Sequence, residues 1–165
     1  MVIRKATLDD YLELCGLIAE VDELHRNNLP QRFREPEGPT REWEYFRSLI
    51  TDESVGFFVA EGDGELVGFV RVVVRDSRHI PILVPRRYAF IDSIAVREEL
   101  RGTGIGRVLM KRAHEWATSM GATEMELNVF EFNEDAIAFY LKLGYRTVCR
   151  EMSRPLERRG AGLTE

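Results

Sequence analysis

The chain has 165 residues, 44% hydrophobic and 31% charged, which fits one soluble globular domain with a sizeable core. A net charge of −5 and a pI near 5.4 leave no excess of Lys and Arg to neutralise a phosphate backbone, so no nucleic-acid partner is expected. No apolar run reaches membrane-spanning length and residues 1–5 carry no signal-peptide core, so the expected location is the cytoplasm, with no membrane partner.

Residues 2–6 read as a short strand. Thr7, with Asp10 three residues on, resembles a capping box; behind it Tyr11, Leu14, Cys15, Ile18 and Val21 recur at helical spacing and predict a helix to about residue 24. Residues 25–39 hold three prolines and a glycine, a long connection of the kind that carries function or mobility. Thr40 is placed to cap a second helix with Trp43, Phe46, Leu49 and Ile50 on one face. Residues 55–61, the turn Gly62-Asp63-Gly64 and residues 65–75 read as a β-hairpin whose second strand is too apolar to be solvated on both faces. A loop over 76–87 follows, with Pro81, Pro85 and the arginines Arg78, Arg86 and Arg87.

Residues 88–96 are rich in β-branched and aromatic side chains and predict the next strand. The helix after it presents Val108, Leu109, Ala113 and Trp116 and ends at Gly121. Alternation over 124–130 predicts a strand. Asn133 is expected to cap a last helix, with Glu134 and Asp135 suiting its dipole and Gly144 ending it. Residues 145–153 read as a final strand. The two cysteines, Cys15 and Cys149, have no CxxC spacing and are expected as core thiols. The order is β-α-α-β-β-β-α-β-α-β: an α/β chain with a mixed sheet and helices on both faces, one domain over 1–154 and a flexible tail over 155–165.

The stretch Arg101-Gly102-Thr103-Gly104-Ile105-Gly106 sits between a strand and a helix. Glycines there let backbone N–H groups turn toward a ligand, and the helix dipole adds partial positive charge, so the stretch predicts an anion site. It is not a P-loop, because nothing supplies the Gly-Lys-Ser/Thr ending. It is a poor dinucleotide fingerprint: the spacing is G-x-G-x-G, and residues 97–101 separate the strand from the glycines. A connector with no ligand is the bland alternative.

Val96-Arg-Glu-Glu-Leu-Arg-Gly-Thr-Gly-Ile-Gly106 resembles the acyl-CoA pyrophosphate loop of the GNAT superfamily of N-acyltransferases, with Arg101, Gly104 and Gly106 on its pattern positions. Asn128 to Asn133, Ala136, Phe139-Tyr140 and Gly144-Tyr145 are similar to the same family's second motif. The resemblance implies a mixed, mostly antiparallel sheet whose central strands splay apart, and acetyl-CoA as acyl donor with no metal. It implies that Gly102, Thr103, Gly104, Ile105 and Gly106 cradle the pyrophosphate, with Arg101, Arg107 and Lys111 near the phosphates. The pantetheine arm would pair with backbone around Ile94, Ala95 and Val96, and Asn128, Asn133, Ala136 and Tyr140 would complete the cofactor contacts.

Tyr140 is a candidate acid, since a phenol is protonated at neutral pH and can donate to a departing thiolate. Asp92 is a candidate base or, equally, a structural or substrate-positioning acid; plain alternation puts its side chain on the face of Ile94 and Val96. His25, His79 and His114 have no paired acids and give no metal site. The implied function is direct N-acetyl transfer in a ternary complex to an unidentified primary amine on a small molecule, amino acid or peptide. A CoA-binding sensor without chemistry is the alternative. An inward Arg86 or Arg87 would favour a carboxylate-bearing acceptor. The edge strands and the final strand are candidate homodimer surfaces.

Overall fold

The computed structural model describes residues 1–156, so the expected tail from 157 on lies outside the described residues. The chain divides into two compact units, Met1–Asn128 and the residues from Val129 on.

The first unit holds strands β1 (Val2–Lys5), β2 (Val55–Gly62), β3 (Glu65–Asp76), β4 (Arg87–Val96) and β5 (Glu124–Leu127), with helices α1 (Tyr11–Asn28), α2 (Trp43–Thr51) and α3 (Ile105–Ser119). The sheet order is β1-β2-β3-β4-β5. The first four strands pair antiparallel and β5 joins β4 in parallel, which requires the crossover that α3 supplies. The expected α/β mixed sheet is present.

Alternation along β2 and β3 sorts the core between two layers. Phe57, Val59, Leu66 and Phe69 pack with Leu14, Leu17 and Ile18 of α1 and Phe46 of α2. The opposite face takes α3: Trp116 meets Phe58 with ring centroids 6.2 Å apart, and a Cβ on Gly56 would lie 2.7 Å from the Trp116 ring, so glycine is what lets helix and strand approach there.

Asp10, almost fully buried, accepts from the Thr7 backbone N–H at 2.7 Å, the acid half of the expected capping box. It also receives both terminal nitrogens of Arg4 at 2.8 Å. The Arg4 guanidinium beside it holds the Asp10 carboxyl below the usual range.

α1 runs past the expected end to Asn28, because no Gly or Pro intervenes before Pro30 and the Asn28 amide donates to the Leu24 carbonyl. Thr40 does not cap α2. Its hydroxyl donates to the Cys15 carbonyl at 3.3 Å, and α2 starts after Glu42. The Tyr11 hydroxyl donates to the Arg41 carbonyl and Arg41 pairs with Asp22, so the end of the long connection is tied to α1.

In the second unit, α4 (Glu134–Lys142) is capped by the Asn133 side chain, which accepts from the Ala136 N–H at 3.1 Å. The expected strand over 145–153 does not form: residues 145–156 have no regular secondary structure. The apolar residues there do not alternate, since Val148 and Cys149 are neighbours, and both are exposed, so Cys149 is not a core thiol. Cys15 is half-buried.

Candidate active site

β4 ends at Val96, a single 3-10 turn over Glu98–Leu100 follows, and the glycines come next. That turn explains the spacing between strand and glycines. Arg97 anchors it, donating its backbone N–H to Val67 O at 3.0 Å and its Nε to Leu66 O at 2.8 Å. Gly102 and Gly104 take φ of 79° and 97°, left-handed backbone that a side chain would strain, with open space where a Cβ would stand. Gly104 is the N-cap of α3, and no side chain caps the helix. The N–H groups of Ile105, Gly106 and Arg107 therefore start the helix without helical acceptors, at its positive end.

This geometry fits the pyrophosphate of an acyl-CoA: several backbone donors, helix-dipole charge and no side chain in the way. Thr103, exposed, is satisfied within the turn instead, its hydroxyl (2.7 Å) and N–H (3.4 Å) donating to the Leu100 carbonyl. Arg101 folds back so that its Nε donates to Val96 O at 3.3 Å. Arg107 is exposed on the first turn of α3, and Lys111 lies 3.9 Å from Glu115.

β4 has two unlike halves. Tyr88 to Ile91 pair with β3 on one side and with Glu124 to Leu127 of β5 on the other. The parallel ladder stops at Ile91↔Leu127, so among the described residues Ser93 to Val96 pair with β3 alone. Asn128 follows the end of β5. Because Arg97 donates toward β3, strand alternation turns the backbone groups of Ile94 and Val96 to the opposite, unladdered edge.

Between the halves lies a β-bulge: Val72 faces Ile91 and Arg71 faces Ser93, leaving Asp92 as the extra residue. The bulge overturns the expected sharing of a face. Ile94 and Val96 stay on the side of Ile91, toward α3, whereas Asp92 joins Arg71 on the side of α1 and α2. There Asp92 is ion-paired with Arg71, whose side chain is only 13% exposed, and Arg71 also donates to the Tyr45 hydroxyl at 3.2 Å.

Neither loop arginine is held for a ligand. Arg86 pairs with Glu124 (2.5 Å) and Glu126 and stacks over Tyr88 at 4.6 Å. Arg87 pairs with Asp76 at 2.9 Å and donates its Nε to the Met120 carbonyl. A shallow hollow of about 270 Å³ lined by Asp76, His79, Arg86 and Arg87 lies at the opposite end of β4 from the glycines. His25 stacks on Phe33 at 5.2 Å, and His114 is half-buried, with burial pushing its pKa down. Among the described residues no group of His, Cys, Asp and Glu is placed to hold a metal.

Within the second unit, Asn133, Ala136 and Tyr140 share one stripe of α4 by helical spacing. Tyr140 packs against Phe139 and Tyr145, with centroids 5.4 and 5.8 Å away. Burial pushes its hydroxyl up to about 12, so it stays protonated far above neutrality.

Arg71 and Tyr45 were missing from the expected site. The signals were present: one arginine inside the apolar run Val67 to Val74, and the adjacent polar pair Asp92-Ser93, which breaks the apolar period of β4.

The family model described as the acetyltransferase (GNAT) family matches residues 18–145. An uncharacterized N-acetyltransferase of Methanocaldococcus jannaschii is 40% identical over 101 residues, 61% of this chain, and the chain spans 43% of that relative's length. An N-alpha-acetyltransferase of Sulfolobus acidocaldarius is 30% identical over 151 residues, covering 88% of this chain and 80% of the relative. The crystal structure of a tetramutant of the Bacillus halodurans protein BH1408 superposes with a TM-score of 0.89 at 29% identity, over 94% of this chain and 100% of that one. With the glycine loop, the mixed sheet and these matches together, the chain belongs to the GNAT family of acetyltransferases and is an acyl-CoA-dependent enzyme of that family.

Proposed function

We propose that the enzyme transfers the acetyl group of acetyl-CoA directly to a primary amine while both substrates are bound. The observation that carries this reading is the continuity of two features: the uncapped N–H groups at the start of α3 suit the pyrophosphate, and the unladdered edge at Ile94 and Val96 suits the pantetheine arm as an added strand. In this reading Gly102, Gly104, Ile105 and Gly106 hold the phosphates, with Arg107 beside them.

The amine lone pair forms the new C–N bond at the thioester carbonyl, and backbone N–H near Ile94 stabilises the oxyanion. The C–S bond then breaks with its electron pair going to sulfur. The sulfur takes the Tyr140 proton, the nitrogen releases its own to water, and Tyr140 is reprotonated. Asp92 is a structural acid on β4, engaged by Arg71. No nucleophile is assigned: Cys149 is exposed, and Cys15 lies on α1 with its sulfur 4.0 Å from the Arg41 carbonyl.

The name of the Sulfolobus acidocaldarius relative, N-alpha-acetyltransferase, makes α-amines the first acceptor class to assay. The test is thiol release from acetyl-CoA across a panel of peptides, amino acids, polyamines and aminoglycosides, with the products identified by mass. Acetylation of one amine class is expected. Tight acetyl-CoA binding with no turnover on any acceptor would instead favour a sensor.

A further inference from the structure

Gly68 is buried in β3 and stands opposite Val96, the last residue in the unladdered half of β4. A Cβ there would lie 2.8 Å from the Ala95 carbonyl oxygen, and 3.3 Å from both Val96 Cγ2 and Leu109 Cδ1. The two methyl groups end side chains and can turn aside. The oxygen belongs to the backbone, and its distance is shorter than the ~3.3 Å of even a Cα–H···O contact, so β4 itself has to move.

That oxygen is one end of a planar trans peptide unit whose other end is the Val96 N–H. Because Arg97 donates toward β3, alternation aims the Ala95 C=O at β3 and the Val96 N–H at the open edge. A push on the oxygen therefore tilts the N–H offered to the pantetheine arm.

We infer that Gly68 is a positioning residue for the acyl donor: its missing side chain lets the Ala95–Val96 peptide lie where its N–H can pair with the pantetheine arm. The inference rests on the assignment of the open edge to acetyl-CoA. Gly68 acts from the neighbouring strand, through one rigid peptide. Gly56 supplies the contrast. It shares the row of Val72 and Ile91, on the closed half of β4, and a Cβ there would meet the rings of Trp116 at 2.7 Å and Phe58 at 2.9 Å.

The experiment measures calorimetric Kd values for acetyl-CoA and for 3′-phospho-ADP, the nucleotide half of CoA without its pantetheine arm, on wild type, Gly68→Ala and Gly56→Ala, beside urea unfolding. Both variants overfill a packed layer and should lose stability. Gly68→Ala should bind acetyl-CoA about tenfold more weakly, the loss of about one backbone hydrogen bond, with 3′-phospho-ADP affinity unchanged. Gly56→Ala should hold both ligands as wild type does. If Gly68→Ala does not fold, Gly68→Ala with Val96→Ala clears the Cγ2 methyl, and the same tenfold loss is expected against Val96→Ala alone.

Wild-type acetyl-CoA affinity in Gly68→Ala would overturn the inference. So would an equal loss in Gly56→Ala, which would mean general loosening, or an equal loss for 3′-phospho-ADP, which would place the effect at the helix start. Failure of the wild-type protein to bind acetyl-CoA would overturn the donor assignment itself, and the inference with it.

Discussion

The two halves of β4 are built from similar residues and end in different circumstances. Tyr88 to Ile91 are hydrogen-bonded on both edges, with Ala89 fully buried and Ile91 nearly so. Ser93 to Val96 are laddered on one edge and half-exposed. Apolar β-forming side chains thus close a sheet in one half, and in the other leave a row of backbone groups for a ligand to complete. The bulge at Asp92 is the joint, and it puts the only acid of the strand on the face of Arg71, opposite the side chains of Ile94 and Val96.

The largest expected effect belongs to the chemistry that the open half serves. Tyr140→Phe should lower kcat by roughly 10²–10⁴, about 3–5 kcal/mol, with the acetyl-CoA Kd unchanged by calorimetry. Since burial pushes Tyr140 up to about 12, the wild-type kcat should show no alkaline fall until pH approaches that value.

Next comes the contrast within β4. Ile91→Ala should cost about 2–4 kcal/mol in urea unfolding, while Ile94→Ala in the open half should cost less than about 1 kcal/mol. Equal costs would erase the distinction.

Gly104→Val places a side chain at φ 97° and in the anion cradle. Acetyl-CoA should bind about a hundredfold more weakly, ~2.7 kcal/mol, more than the ~1–2 kcal/mol that left-handed strain alone takes from stability.

The smallest effect is a control far from both halves. Asp10→Asn should destabilise by about 1–2 kcal/mol at pH 7 without touching acetyl-CoA affinity. The Asp10 carboxyl sits below its ordinary range in the fold. Its contribution is therefore complete above the unfolded value near 3.9 and fades as pH falls through the folded one, so wild type and variant should converge in acid.

Features with a local cause were legible in the sequence. Glycines between a strand and a helix, Asn133 three residues before the N–H it caps, and the 62–64 turn each read correctly because the deciding atoms are near neighbours in the chain. What could not be read depended on partners. The bulge exists because β3 and β4 slip past one another at Arg71, and an alternation argument on β4 alone put Asp92 on the wrong face. Thr40 looked like a cap until α1 offered the Cys15 carbonyl. Residues 145–153 looked like a strand from composition, whereas the neighbouring apolar residues Val148 and Cys149 give no buried alternating face to hold one in place.

The most direct measurement is amide hydrogen exchange along β4 and the glycine loop, with and without acetyl-CoA. Slower exchange is expected at Ile94, Val96 and the amides of Gly104, Ile105, Gly106 and Arg107, with Ala89 and Ile91 unchanged. Protection spread evenly along β4, or none at the start of α3, would contradict the assignment of that open edge and helix start to the acyl donor.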